Sequence, residues 1–267
     1  MVFSLDRIFI THTALPKNIG VTEIEPIAAL RPFVRCFWKY NCSPDFPEFR
    51  IIPDCCADII IPLDGSDSIF VGASDTSFVT RQFGDVFGIR FYAWAVAPFL
   101  HIGLSAMFNS RVPVDFVLKN FSLLQNSIIE AKTTEIQVEL AENYLLTLFD
   151  GKICDDVMNS LYCALKESCH VTLNSLSDYC AVSKRTLERK FKDSIGIAPK
   201  KMIDLLRYQL LWQDCKKVGF NAADSAYKLG YYDEAHLYND FKLFHGIGIG
   251  AARQEYLKLS HFYNTIS

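Results

Sequence analysis

The chain has 267 residues, half of them apolar and 21% charged, which is the balance of a soluble globular protein with apolar material for two cores at roughly 100–200 residues per domain. The longest apolar stretch, near Phe91 to Leu104, is bordered by Arg90 and interrupted by Pro98 and His101, so it is too short and too broken to span a membrane. A net charge of −3 is the wrong sign for a chain-wide polyanion binder, and nine cysteines without a C-x-x-C pair read as reduced core thiols of a cytoplasmic protein.

The first segment, 1–16, carries Asp6, Arg7 and His12 inside its apolar run, so no secretion signal is expected there. Residues 1 to about 118 read as mostly β. Short runs rich in β-branched and aromatic residues (33–40, 51–52, 59–63, 69–71 and 87–97) alternate with turn residues such as Pro44, Pro53, Gly72 and Gly84. A compact barrel or sandwich follows from that pattern. Leu100, Leu104 and Phe108 at four-residue steps predict a short helix over 97–108.

The character changes after residue 120. Over 134–149, Ile136, Leu140, Tyr144 and Leu148 fall on one helical face, and Asp150-Gly151 supplies a stop. Packing is the plain reading of that stripe, and a dimer helix the sharper one. Another helix is expected from Asp155 to about Ser168, and the pattern stays helical to the end. The expected division is a β-rich domain with a helical end over 1–150 and an all-helical domain over 151–267, an α+β chain in total. Charge divides at the same place. Residues 151–267 hold 16 Lys+Arg against 13 Asp+Glu, and residues 1–150 hold 11 against 17.

The helical half contains a repeat. Leu187, Phe191, Lys192, Gly196 and Ile197 recur fifty positions later as Leu237, Phe241, Lys242, Gly246 and Ile247. Ser183 and Asp233 also correspond, and both residue types cap helix N-termini. A shorter helix precedes each copy. The first is capped by Thr172 and turns at Ala181-Val182; the second covers 222–229 and turns at Gly230-Tyr231-Tyr232. Helix, tight turn, helix is the unit that lays its second helix in the DNA major groove. Residues 183–201 carry seven basic side chains (Lys184, Arg185, Arg189, Lys190, Lys192, Lys200, Lys201) against Glu188 and Asp193, a local footprint for phosphates.

The stretches SKRTLERKFKDSIGIAPKKMI and LGYYDEAHLYNDFKLFHGIG resemble the AraC/XylS family of transcription regulators, over about 171–256. The resemblance implies a seven-helix reader of double-stranded DNA, with two helix-turn-helix units joined by a long helix, here 199–214. It also implies an activator that touches RNA polymerase. Carried onto this chain, the first reading helix presents Ser183, Lys184, Arg185, Thr186, Glu188, Arg189 and Lys192. The second presents Glu234, Ala235, His236, Tyr238, Asn239 and Lys242. The family's Gly-x-x-Pro ending is kept at Gly196–Pro199, but the second copy has Ile249 at the proline position. The second helix also carries Asp233, Glu234 and Asp240, so the first unit is expected to supply most of the affinity. Arg207, among Leu205, Leu206 and Leu210, is expected in a structural ion pair.

In the N-terminal half, RPFVRCFW (31–38), RIIPDCCADIII (50–61), FVGAS (70–74) and FGIRFYAWAVAPFLHIG (87–103) resemble a sensor-like domain found fused to AraC-type readers. The glycine usual after Pro-Asp is Cys55 here. The resemblance implies a small-molecule effector and a homodimer. A β-rich domain dense in aromatics can hold an apolar ligand. Trp38, Arg50, Asp58, Arg90, Tyr92 and Trp94 are the candidate contacts, with Tyr40, Phe91, Phe99 and Asp54 beside them. Simple core packing, and an internal Arg–Asp pair at Arg90, are the competing readings. No H-E-x-x-H, P-loop or dinucleotide fingerprint occurs, and no enzyme, cofactor or metal is expected. The alternative is a metal or thiol-redox sensing regulator using Cys36, Cys42, Cys55 and Cys56.

Overall fold

Alternation of period two builds the N-terminal sheet. Along β4 (Cys56–Pro62), Ala57, Ile59 and Ile61 point one way, while Cys56, Asp58 and Ile60 point the other. The computed structural model describes residues 21–42, 48–80, 84–149 and 153–261. Within it, β1 (Thr22–Ile24), β2 (Val34–Cys42), β4, β5 (Ile69–Val71), β7 (Gly84–Tyr92) and β8 (Arg111–Pro113) form one antiparallel sheet in the order β1-β2-β7-β4-β5-β8. A separate pair, β3 (Phe49–Ile51) with β6 (Phe78–Thr80), makes the second, smaller sheet. The arrangement is an open, sandwich-like one, with β1 and β8 as edges of the large sheet.

The face carrying Phe37, Ile59, Phe70, Phe87, Ile89 and Phe91, all fully buried, joins a core that runs on through the helices of the C-terminal half. Each such side chain contributes roughly 1.5–3 kcal/mol by leaving water. The expected helix over 97–108 is absent. Two 3-10 turns, Ala97–Phe99 and Leu104–Ala106, stand there, because Pro98 and Gly103 divide the segment. The strand expected over 87–97 ends at Tyr92.

Helices α1 (Phe121–Glu130) and α2 (Thr134–Leu148) follow. Helix α2 does not bury the expected stripe. Val138, Ala141 and Leu145 face the core, Ile136 is exposed, and Leu140, Tyr144 and Leu148 lie at the margin. Buried Gln137 moves the face, its side-chain amide donating to the Ile128 carbonyl at 3.0 Å. The expected stop at Asp150-Gly151, and the domain boundary placed there, fall outside the described residues.

Seven helices make up the C-terminal half among the described residues: α3 (Asp155–Lys166), α4 (Leu173–Tyr179), α5 (Lys184–Ile195), α6 (Pro199–Cys215), α7 (Ala222–Leu229), α8 (Glu234–His245) and α9 (Ile249–His261). Their starts follow the sequence signals. Thr172 and Ser175 form a capping box on α4, Ser183 caps α5 through the Thr186 N–H, and Asp233 caps α8 through the His236 N–H. Pro199 opens α6, and Ile249, fifty positions on, opens α9 as a buried residue. No described helix is long and apolar enough to cross a membrane.

Candidate nucleic-acid interface and the cavity beside it

Each repeat copy divides its helix into an inner and an outer face. Leu187 and Phe191 of α5 are fully buried, as are Leu237 and Phe241 of α8. On the outside of α5, Lys184, Arg185, Glu188, Arg189 and Lys192 are exposed, with the cap Ser183 beside them and Thr186 half-buried on it. Part of the basic run is spent internally. Lys190 pairs with Asp156 on α3, and Lys201 reaches Asp75 of the N-terminal half at 2.5 Å. Arg189 lies 3.9 Å from Asp193 and keeps most of its side chain in water, where such a pair is weak. Four cations therefore project from α5. Helix α8 exposes Glu234, Ala235, His236, Tyr238, Asn239 and Lys242, and His236 Nε2 stands 3.5 Å from Asp240. Arg207 takes no part in either face. Its guanidinium bonds Asp204 at 3.3 Å and the Cys169 carbonyl at 3.1 Å.

The N-terminal half grips both units at equivalent places. Gly196 and Gly246 close α5 and α8 in left-handed backbone, with φ of 87° and 80°. A Cβ on Gly196 would overlap the Leu104 carbonyl, and one on Gly246 would meet the Ser77 hydroxyl at 2.5 Å and the Arg50 guanidinium at 3.3 Å. The Ser77 hydroxyl donates to the His245 carbonyl at 2.7 Å, and Arg50 pairs with Glu255 of α9 at 3.3 Å. The Gln209 amide of α6 donates to the Pro53 carbonyl.

Arg50, Asp75 and Ser77 alternate with residues that face the other way. Phe49, Ile51, Ser74, Thr76 and Phe78 line a cavity of about 290 Å3 between the small sheet and the large one. The floor is the second face of the large sheet. On it, Arg90 pairs across the strands with Asp58, and Gly88 with Trp38. The Trp38 indole lies over Gly88, where a Cβ would overlap the ring, and its N–H donates to Asp58 Oδ1 at 2.9 Å. Arg90 binds Asp58 through two hydrogen bonds, at 2.9 and 3.2 Å, and stands 4.0 Å from Asp54. Burial opposes its charge, but Asp58 and Asp54 outweigh that and hold the guanidinium above its ordinary range.

Of the candidate ligand contacts, Trp38, Asp58 and Arg90 line the cavity, as do Tyr40 and Asp54. Arg50, Tyr92 and Trp94 are outside its lining. Arg50 faces α9, and Tyr92 and Trp94 stack on one another in the core with centroids 4.9 Å apart. Phe91 and Phe99 are core as well. Arg111, which the sequence reading passed over, lines the cavity from β8, with its guanidinium 4.0 Å from the Phe78 ring centroid. Register alone reveals it. Arg111 pairs with Val71, Val71 with Asp58, and Asp58 with Arg90, so all four share one rung.

Cys36, Cys55 and Cys56 are buried thiols; burial pushes Cys36 up to about 12 and the other two well above the ordinary range. Cys55 keeps left-handed backbone, φ 59°, at the position where the resembling domain has glycine. The Cys42 side chain is outside the described residues. No group of three or more His, Cys, Asp or Glu among the described residues is placed to hold a metal.

Residues 176–255 match the family model of a helix-turn-helix domain, and residues 22–113 match that of a domain of unknown function, DUF6597. The C-terminal part of the chain is therefore a helix-turn-helix domain. Among solved structures it is similar to a transcriptional regulator with an AraC-type DNA-binding domain from Chromobacterium violaceum, at 19% identity, over 38% of this chain and 91% of that one, with a TM-score of 0.36. It is also similar to ToxT from Vibrio cholerae, at 11% identity, over 79% of this chain and 89% of that one, with a TM-score of 0.41. No curated protein matches the chain. In this helix-turn-helix domain the departure at Ile249 has a structural counterpart. Isoleucine takes the opening position that proline holds in the first copy, and its side chain is buried at 5% exposure.

Proposed function

We propose that this protein is a sequence-specific transcription regulator, which reads double-stranded DNA with α5 and α8 and answers to a small molecule held in its N-terminal domain. The observation that carries the reading is the outer face of α5. Four exposed cations near and along a capped helix, backed by a fully buried Leu187 and Phe191, form a rigid donor surface suited to phosphates and guanine edges. Ser183, Thr186 and Glu188 complete the first reading set. Glu234, Ala235, His236, Tyr238, Asn239 and Lys242 form the second. Exposure of both faces with the N-terminal domain docked supports DNA access in this arrangement. The cavity, between the grip on the second unit and the large sheet, is the natural seat of the effector. The division near residue 150, an activator role, contact with RNA polymerase, assembly as a homodimer and a cytoplasmic location belong to the same proposal.

The experiment is an anisotropy titration of a labelled duplex by the full chain, over a range of salt. Affinity is expected to fall with salt by a log–log slope of about −0.9 per phosphate contact, and Lys184→Ala with Arg189→Ala to flatten that slope. A slope unchanged by those substitutions removes α5 from the interface.

A further inference from the structure

We propose that the cavity takes a compact organic anion, with a flat apolar body laid on the Trp38 indole and an acidic head at Arg111. This rests on the effector reading above and names the chemistry of that effector.

The volume sets the size. About 290 Å3 is at the small end of the roughly 300–1,000 Å3 of ligand pockets, so one ring with a short side chain fits. The floor sets the shape. Gly88 lets the indole lie flat on the backbone, and the hydrogen bond to Asp58 fixes its rotation, leaving a rigid π surface toward the cavity. Phe49, Ile51 and Ile60 give apolar walls.

The ion pairs set the charge. Each carboxylate in the lining already has a guanidinium: Asp58 and Asp54 share Arg90, and Glu23 stands 3.7 Å from Arg35. The Arg90 guanidinium also stands 5.9 Å from the Trp38 ring centroid, so a cationic ligand on that ring would meet a fixed positive charge. Arg111 differs. It is exposed at the rim, rests on Phe78, and makes no ion pair among the described residues. Its planar fork is free to take a carboxylate edge-on.

The test uses three probes with one body and different heads: 3-phenylpropionate, 3-phenylpropanol and 3-phenylpropylamine, each titrated calorimetrically into the full chain. The anion is expected to bind most tightly, by roughly tenfold over the alcohol, the strength of one charge-assisted contact, and the amine least. Arg111→Gln, at an exposed position, is expected to bring the anion to the alcohol's affinity and leave the alcohol unchanged. Ile51→Trp, which fills the cavity, is expected to abolish binding of both. A preference for the amine or the alcohol, or an Arg111→Gln variant that still favours the anion, overturns the anion assignment and leaves an effector cavity in place. No binding by any probe overturns the assignment and the effector reading together, and leaves the DNA-binding reading standing.

Discussion

Arg50 and Ile51 are neighbours on β3 and face opposite ways: Arg50 pairs with Glu255 of α9, while Ile51 lines the cavity. The same alternation separates Ser77, bonded to the end of α8, from Thr76 and Phe78 inside. One layer of backbone therefore stands between the cavity and the second helix-turn-helix unit. Packed layers shift between discrete arrangements rather than deforming smoothly, so a change on one face is felt on the other.

On the proposed effector reading, that thin wall predicts that the second unit is the one that responds. Ile51→Trp should mimic occupancy and shift DNA affinity with every reading residue intact. Ser77→Ala should remove the shift, giving a coupling energy of about 0.5–1 kcal/mol in a double-mutant cycle of DNA binding. Strictly additive effects would mean that the wall transmits nothing.

Reading strength should be unequal between the two helices. Arg185→Ala is expected to weaken binding by about 1–3 kcal/mol, the value of a good base contact. Asn239→Ala should cost less, because α8 carries Glu234 and a half-buried Asp240 beside its single exposed lysine, Lys242. Parallel titrations of both variants on one duplex give the ranking, and a larger loss from Asn239→Ala reverses it.

The glycine at the end of α5 should be intolerant of a side chain. Gly196→Ala places a Cβ on left-handed backbone, a cost of about 1–2 kcal/mol, before its overlap with the Leu104 carbonyl is counted. Gly219→Ala, also on left-handed backbone (φ 76°) but with nothing within 4 Å of its Cβ, is the matched control and should carry the backbone cost alone. Thermal unfolding separates the two, and equal melting temperatures would mean that the Leu104 turn does not press on Gly196.

Acid should loosen the same region. His245 is fully buried, shares a 2.8 Å hydrogen bond with the Tyr208 hydroxyl, and is held down to about 3 by burial and by Arg50. Its pKa is depressed, so its contribution is present above the unfolded value of about 6.5 and is lost as pH falls from there toward about 3, since only the unfolded chain takes the proton. The slope is up to about 1.4 kcal/mol per pH unit in that window. His245→Gln should be less stable at pH 7 and show a flatter profile in urea unfolding at pH 7, 6 and 5. An unaltered profile would show that His245 titrates normally.

Much of the helical half was legible in the sequence because its signals are local. Ser183 and Asp233 cap, Gly196 and Gly246 stop, and Leu187, Phe191, Leu237 and Phe241 repeat at fixed spacing, so helices, turns and buried faces follow without tertiary information. The strands were visible as runs, but their register was not. Arg111 joins Arg90 and Asp58 only through pairings made by β5 and β8, and Tyr92 leaves the cavity because the chain turns toward Trp94 just after it. Helix α2 misled for the opposite reason. Its apolar stripe is real, but the Gln137 hydrogen bond to Ile128 rotates a neighbouring face inward. The spent charges of Lys190 and Lys201 also depend on distant partners, Asp156 and Asp75.

Selection of bound duplexes from a random pool by the full chain tests the central claim most directly. Two reading helices held by one domain should enrich a motif of two half-sites about one turn, roughly 10 bp, apart on one face of the DNA. Arg185→Ala should erase the stronger half. A pool that emerges with no enriched sequence, or a motif untouched by Arg185→Ala, would contradict the account.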